Sequence, residues 1–172
     1  MKIYFVGYMF SGKSSAGKRI ARDLGIGFYD LDSLFEARYR ISINDFFSRY
    51  DEAAFRKLER EVLFSTAEYE NCVISTGGGT PCFGENMDFI LQNGISVYLK
   101  SSVGTILSRK ANSKRPRPIL KDMEPDETRI FIERQLSERE KFYKKADLTI
   151  DAESIDFKHL AELILKKADE RK

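Results

Sequence analysis

The 172-residue chain has no tryptophan, a single histidine and only two cysteines, Cys72 and Cys82. Two thiols and His159 make a poor ligand set for a transition metal, so a zinc or iron–sulfur protein is not favoured. Cys72 falls in an apolar run, where a free cysteine usually packs as a small hydrophobic residue. We therefore expect neither a disulfide framework nor a structural metal, and an ordinary apolar core must stabilise the fold.

Long apolar runs and a surplus of one charge are also missing. No stretch approaches the roughly 18 consecutive apolar residues of a membrane span, and the start MKIYFVG lacks the apolar core of a signal peptide. The 29 basic and 27 acidic residues give a net charge of +2, which does not favour nucleic acid. We expect a cytoplasmic monomer with no membrane or nucleic-acid partner, since no long apolar surface pattern demands a partner.

Five short apolar runs alternate with stretches of helical periodicity. This alternation predicts an α/β fold, with a parallel sheet covered by helices, as a single domain over residues 1–172. The predicted strands cover residues 2–7, 26–30, 72–76, 95–99 and 147–151.

Capping signals mark several predicted helix boundaries. Gly25 is expected at the C′ position of the first helix. Ser33 and Glu36 have the spacing of a capping box that opens the next helix. Further helices are predicted over residues 51–69, with aspartate as N-cap, and over residues 125–146, with proline in the first turn.

The strongest motif is GYMFSGKS, which has the form G-x-x-x-x-G-K-[ST] of a phosphate-binding loop. It follows the strand-like run IYFV and precedes a helical pattern, which is the context that the motif needs. Its glycines let backbone N–H groups point at phosphate oxygens, and the helix N-terminus adds positive potential. The predicted ATP-binding residues here are Gly7, Ser11, Gly12, Lys13, Ser14 and Ser15.

Two carboxylates follow the second predicted strand in the sequence YDLD, where open α/β sheets bind their ligands. In an extended chain Asp30 and Asp32 face the same side, so one can lie near Mg²⁺ while the other accepts a hydrogen bond from a substrate hydroxyl. The alternative for Asp32 is to cap the following helix. Ser14 is expected to ligate the Mg²⁺ that accompanies ATP, and Lys13 to reach the β- and γ-phosphates.

The third predicted strand runs into TGGG, where a P-loop protein of the usual sort has an aspartate. The carboxylate on the metal side must therefore come from elsewhere, and Asp30, through a water molecule, is the candidate. Gly77, Gly78 and Gly79 expose backbone N–H groups and permit close approach of a ligand. The alternative is a flexible turn without a ligand.

Residues 110–124 contain two of the four prolines and five basic residues. The segment interrupts the regular alternation and predicts a mobile basic lid, which a kinase needs to exclude water from the γ-phosphate. The alternative is a solvated loop without a task. Arg109, at the beginning of this segment, is the candidate cation to stack on adenine.

Six motifs, in order across nearly the whole chain, resemble the shikimate kinase family: the phosphate loop, YDLD, FRKLE, TGGG, RPIL and SEREKFY. The resemblance implies a P-loop kinase fold, a three-layer sandwich around a five-stranded parallel sheet of order 2-3-1-4-5. It implies a substrate-binding subregion at about 31–62 and a lid at about 110–124. The implied reaction transfers the γ-phosphate of ATP to the 3-hydroxyl of shikimate, in the chorismate and aromatic amino-acid pathway.

The resemblance also implies residue roles. Asp32 contacts the shikimate hydroxyls, and orienting the acceptor is favoured over taking its proton because phosphoryl transfer needs little base strength. Arg117 is the lid arginine that reaches the transferring phosphate, and it completes a catalytic set with Lys13 and Asp32. The implied substrate-binding residues are Asp32, Arg56, Gly77, Gly78, Gly79 and Arg139.

Two departures and two rival functions stay open. The family usually has a proline shortly after the late arginine, where this chain has Glu140 and Lys141, and the lid sequence RPRP offers Arg115 as an alternative to Arg117. Another small-molecule kinase, for gluconate or a nucleoside monophosphate, has the same architecture. A regulatory module could keep the phosphate loop and lose catalysis, although the presence of every expected role argues against this.

Overall fold

A computed structural model describes residues 1–113 and 123–171 of the chain. Over these residues the strands form a parallel sheet in the order β2-β3-β1-β4-β5, which confirms the predicted fold. Each strand lies within one residue of its predicted bounds. The strands are β1 (Lys2–Val6), β2 (Gly27–Asp30), β3 (Cys72–Ser75), β4 (Ile95–Lys100) and β5 (Leu148–Asp151).

Helices cover both faces of the sheet. The described helices are α1 (Lys13–Leu24), α2 (Leu31–Tyr39), α3 (Ile43–Arg49), α4 (Glu52–Ser65), α5 (Asn86–Asn93), α6 (Val103–Ala111), α7 (Pro125–Tyr143) and α8 (Phe157–Glu170). Two short 3₁₀ turns lie at Thr66–Glu68 and Thr80–Cys82. None of the described helices is both long enough and apolar enough to span a membrane.

Alternating side chains of the central strand β1 divide the interior into two cores. Ile3 and Phe5 pack with α1 and α8 on one face, whereas Tyr4 and Val6 pack against the helices of the other face. All four side chains are inaccessible to solvent. This alternation follows from strand geometry, and it produces the three layers of helix, sheet and helix.

Most local predictions agree with the structure, but the predicted capping box is wrong. Gly25 ends α1 with a φ of +67°, and the aspartate at position 51 caps α4. Helix α2 begins earlier than Ser33, because Asp30 is its N-cap and accepts hydrogen bonds from the N–H groups of Asp32 and Ser33. Glu36 instead accepts a hydrogen bond from the N–H group of Ile43, at the start of α3.

Two segments that were predicted from the sequence contain helical residues in the structure. The predicted substrate-binding subregion contains the helix α3, which the sequence pattern did not indicate. The first two residues of the predicted lid, 110 and 111, are the last two residues of α6. Residues 114–122, which include Arg115 and Arg117, lie outside the described residues.

Candidate active site

The phosphate loop joins β1 to α1 in a conformation that requires its glycines. Gly7 has a φ of +139°, and a Cβ atom there would lie 2.7 Å from the carbonyl oxygen of Leu99. Gly12 has a φ of +97° directly before α1. Lys13 is buried, and its Nζ donates to the carbonyl oxygen of Tyr8 at 2.8 Å. Its ammonium group is therefore held inside the loop.

Ser14 and Asp30 form an oxygen-rich pair beside this loop. The Ser14 hydroxyl donates to Oδ2 of Asp30 at 2.6 Å and lies 3.1 Å from the hydroxyl oxygen of Ser75. Hydroxyl and carboxylate oxygens are the ligands that Mg²⁺ prefers. The described residues include no cluster of three or more His, Cys, Asp or Glu side chains that could hold a metal.

Asp32 has a different environment from Asp30, so the prediction that both carboxylates face the same side is wrong. Asp30 ends β2, whereas Asp32 lies in the first turn of α2, where the chain is no longer extended. Asp32 lines a cavity, and a Cβ atom on Gly77 would lie 3.3 Å from its Oδ1. Helix capping, the alternative role considered for Asp32, is performed by Asp30 instead.

The cavity has a volume of about 370 Å³ and lies between the TGGG turn and helices α2, α3, α4 and α7. It brings together every residue predicted to bind the substrate, although these residues are spread over more than one hundred positions of sequence. Its walls are formed by Met9, Asp32, Ile43, Phe47, Glu52, Phe55, Arg56, Glu59, Gly77, Gly78, Gly79 and Arg139.

Arg56 is held in the cavity wall by two carboxylates and an aromatic ring. Its Nη1 donates to Oε2 of Glu59 at 2.8 Å, and its Nη2 donates to Oε1 of Glu52 at 3.0 Å. The guanidinium carbon lies 4.3 Å from the ring centre of Phe83. Such a fixed, planar donor suits a ligand carboxylate, because little rotamer freedom remains to be lost on binding.

Glu59 lies in the cavity wall next to Arg56 and pairs with it. Its Oε1 accepts a hydrogen bond from the Thr80 hydroxyl at 2.6 Å, so both carboxylate oxygens have partners. Burial raises the pKa of the Glu59 carboxyl, and the Arg56 guanidinium opposes that rise. The hydrogen bond from Thr80 to Glu59 therefore links α4 to the turn that follows β3.

The triple glycine is closely packed. A Cβ atom on Gly78 would lie 2.9 Å from the backbone nitrogen of Met9, and one on Gly79 would lie 2.5 Å from Nη2 of Arg56. Both distances are shorter than van der Waals contact. Glycine is required here for close approach of the phosphate loop and Arg56, which argues against the alternative of a merely flexible turn.

Helix α7 carries Arg139 towards the phosphate loop. The guanidinium carbon lies 5.6 Å from the ring centre of Tyr8, which is within cation–π distance. One turn later, the Tyr143 hydroxyl donates to the carbonyl oxygen of Gly78. Glu140 and Lys141, which replace the family's usual proline, continue the helix through this contact.

Arg109 lies beside the phosphate loop and contacts its backbone. Its Nη1 donates to the carbonyl oxygen of Ser11 at 2.5 Å, and its Nη2 donates to that of Ala152 at 2.9 Å. The predicted stacking on adenine stays a prediction. Ser15 is exposed in the first turn of α1, and the Ser11 side chain is buried within the loop.

Several cavity residues were missed at the level of sequence. Ile43 and Phe47 come from α3, whose N-cap Ser42 accepts a hydrogen bond from the N–H group of Asp45. The serine-to-acid spacing of that cap is a signal that could have revealed the helix. Glu59 could have been found as the i+3 neighbour of Arg56 on a predicted helix.

A parallel sheet in this order, with a phosphate-binding loop after β1 and next to it a cavity lined by Asp32, Arg56 and Arg139, defines a P-loop kinase. A family model described as shikimate kinase matches residues 9–169. The chain belongs to the shikimate kinase family.

Relatives of known sequence and structure agree with this assignment. The shikimate kinase of Parabacteroides distasonis is 44% identical over 154 residues, which cover 90% of this chain and 89% of the relative. The crystal structure of the enzyme from Bacteroides thetaiotaomicron has a TM-score of 0.86 at 38% identity and covers 99% of this chain and 97% of its own. The structure of the enzyme from Acinetobacter baumannii, solved in complex with shikimate, also has a TM-score of 0.86, at 32% identity. The match covers 99% of this chain and 94% of the other.

Proposed function

We propose that this protein transfers the γ-phosphoryl group of ATP to the 3-hydroxyl of shikimate. The products are shikimate 3-phosphate and ADP, in the pathway to chorismate and the aromatic amino acids. The observation that carries the proposal is the cavity in which Asp32, Arg56 and Arg139 meet the triple glycine beside the phosphate loop. Membership in the shikimate kinase family supports the same substrate.

The donor side is built on the phosphate loop. Its backbone N–H groups and Lys13 hold the phosphates, while Ser14 and Asp30 hold Mg²⁺, with Asp30 acting through a water molecule. The contact of 2.6 Å between Ser14 and Asp30 supports this metal assignment, because both oxygens are of the type that Mg²⁺ binds. When bound, Mg²⁺ neutralises charge on the phosphate oxygens.

The acceptor side is built on two arginines and one aspartate. Arg56 and Arg139 bind the shikimate carboxylate, because a guanidinium can donate to both carboxylate oxygens at once. Asp32 accepts a hydrogen bond from the acceptor hydroxyl and orients it towards the γ-phosphate. The loose transition state of phosphoryl transfer makes this orientation more important than the basicity of Asp32.

Charge on the transferring group is shared by cations from both sides of the site. Lys13 reaches it from the loop, and Arg117 reaches it from the lid at about 110–124. The lid and the subregion at about 31–62 belong to one domain over residues 1–172. We propose that the enzyme acts as a cytoplasmic monomer.

A coupled assay of ADP release tests the proposal. The purified protein is incubated with ATP and Mg²⁺, either alone or with shikimate, gluconate or a nucleoside monophosphate. We expect only shikimate to stimulate ADP release, and NMR of the product to locate the phosphate on the 3-oxygen. Stimulation by gluconate or a nucleotide instead would show a different kinase. ATP binding without any ADP release would show a regulatory module.

A further inference from the structure

Tyr8 is a buried tyrosine inside the phosphate loop, with 1% of its surface exposed. Such a loop needs only its glycines, lysine and hydroxyl residue to hold phosphates, so the motif does not explain a buried aromatic residue at this position. The Tyr8 backbone contacts other residues of the phosphate loop, and its side chain contacts α7.

The Tyr8 backbone belongs to the nucleotide side of the site. Its carbonyl oxygen accepts hydrogen bonds from Nζ of Lys13 at 2.8 Å and from the N–H group of Ser11 at 3.2 Å. A phosphate that binds in the loop competes with this carbonyl for the same ammonium group. A bound nucleotide would thus change the hydrogen bonding of the Tyr8 carbonyl oxygen.

The Tyr8 side chain belongs to the acceptor side. Its hydroxyl donates to Oε1 of Gln135 at 2.8 Å, and its ring centre lies 5.6 Å from the guanidinium carbon of Arg139. Both partners lie on α7, one turn apart. Burial raises the pKa of the Tyr8 hydroxyl to about 12, so the hydroxyl remains a donor at neutral pH.

We propose that Tyr8 is a positioning residue that couples the nucleotide site to the acceptor site. Its peptide contacts the lysine that binds the phosphates, while its rigid side chain fixes the helix that carries Arg139. Occupation of either site therefore favours the arrangement that the other site needs, and the effect must be reciprocal. This inference rests on the proposed function, because it assigns Arg139 to the shikimate site.

The test is the affinity for shikimate measured by calorimetry, with and without Mg²⁺ and a non-hydrolysable ATP analogue. The coupling factor is the dissociation constant of shikimate without the nucleotide analogue divided by the constant with it. We expect this factor to be clearly above one in the wild type. Tyr8→Phe keeps the ring but removes the hydroxyl, and Gln135→Leu removes its acceptor. Each should lower the coupling factor by about threefold to tenfold, the value of one neutral hydrogen bond.

Two further variants sharpen the test. The coupling factor of the double variant Tyr8→Phe with Gln135→Leu should be no lower than that of either single variant, because both substitutions remove the same hydrogen bond. Tyr4→Phe is the matched control: Tyr4 is equally buried, but its hydroxyl pairs with Thr66 Oγ1 at 2.8 Å, at the end of α4 rather than on α7. It loses a comparable bond, yet should keep the wild-type coupling factor.

The possible outcomes separate the two proposals. A wild-type coupling factor of one, or a wild-type value retained in Tyr8→Phe or in Gln135→Leu, overturns the role of Tyr8. If Tyr8→Phe does not fold, Gln135→Leu decides alone, since Gln135 is only partly buried. Shikimate-dependent ADP release by the wild type is measured in parallel. Its absence overturns the proposed function itself, whereas its presence with unaltered coupling overturns only this inference.

Discussion

Arg56 and Glu59 form an ion pair in which the carboxylate is buried behind the guanidinium. Their closest contact is 2.8 Å, and the side chains are 16% and 4% exposed, respectively. Both residues line the cavity, and Glu59 is the more deeply buried of the two. The pair fixes the position of the Arg56 guanidinium in the cavity wall.

Replacing Glu59 with glutamine should leave Arg56 without its buried counter-charge. We expect the free energy of unfolding to fall by about 3 kcal/mol, since breaking a buried pair leaves an uncompensated charge. The KM for shikimate should rise while the KM for ATP stays near its wild-type value. Glu52→Gln is the control, because Glu52 pairs with the same guanidinium but is 55% exposed. Glu52→Gln should lower the free energy of unfolding by less than about 1 kcal/mol. Equal losses in both variants would contradict the assignment.

Asp30 has two roles that different substitutions can separate. Asp30→Asn retains a side chain that caps helices well, so stability should change by less than about 1 kcal/mol. It removes the charge next to Ser14, and kcat should fall about a hundredfold, as for loss of one preorganised electrostatic group. Asp30→Ala should show the same loss of kcat and an additional loss of about 1 kcal/mol in stability. A wild-type kcat in Asp30→Asn would exclude Asp30 from the metal site.

Adding a methyl group to the triple glycine should disturb the phosphate loop. In Gly78→Ala the new Cβ atom would lie 2.9 Å from the backbone nitrogen of Met9. We expect a loss of about 1–3 kcal/mol in the free energy of unfolding, together with a fall in kcat/KM. In Gly104→Ala the nearest atom, Ser102 Oγ, is 3.9 Å away, so this helical site should gain up to about 1 kcal/mol. Chemical denaturation of both variants would reveal the opposite signs, and a stable, fully active Gly78→Ala would refute the steric argument.

Exchanging Arg139 for lysine should affect one substrate selectively. The variant keeps the charge but loses the planar fork, so the KM for shikimate should rise about tenfold or more while ATP binding is nearly unchanged. Arg134→Lys is the control on the same helix, because Arg134 is 78% exposed and pairs with Glu138 on the surface. Steady-state kinetics with each substrate varied would distinguish the two variants. Equal loss of affinity for ATP and shikimate would contradict the assignment of Arg139.

Glu153 should make the fold sensitive to acid. Hydrogen bonds from Ser102 and Thr105 lower the pKa of its carboxyl from the ordinary value of 4.5 to about 2. Because the folded state prefers the carboxylate, this contribution is fully present above about pH 4.5 and is lost as the pH falls towards 2. Urea unfolding between pH 7 and pH 3 should therefore show wild type and Glu153→Gln converging at low pH. A difference in stability that does not change with pH would rule out this role.

Residues that depend on local geometry could be predicted from the sequence. The phosphate loop is specified by its own glycines, and the ends of α1 and α4 are marked by Gly25 and Asp51. The direction of a side chain at the junction of two elements could not be predicted. Asp30 and Asp32 look equivalent in YDLD, but the helix begins between them, so one faces Ser14 and the other faces the cavity.

The sequence by itself determined the alternation of strands and helices, the phosphate loop and the order of the motifs that identify the family. These depend on short-range spacing and on backbone conformations that only particular residues adopt. Only the tertiary structure decided that Glu59 is fixed by Thr80 and that Tyr8 joins the loop to Gln135 and Arg139. The Tyr8 contacts join positions more than 120 residues apart, and packing of α7 against the sheet brings them within hydrogen-bonding and cation–π distance.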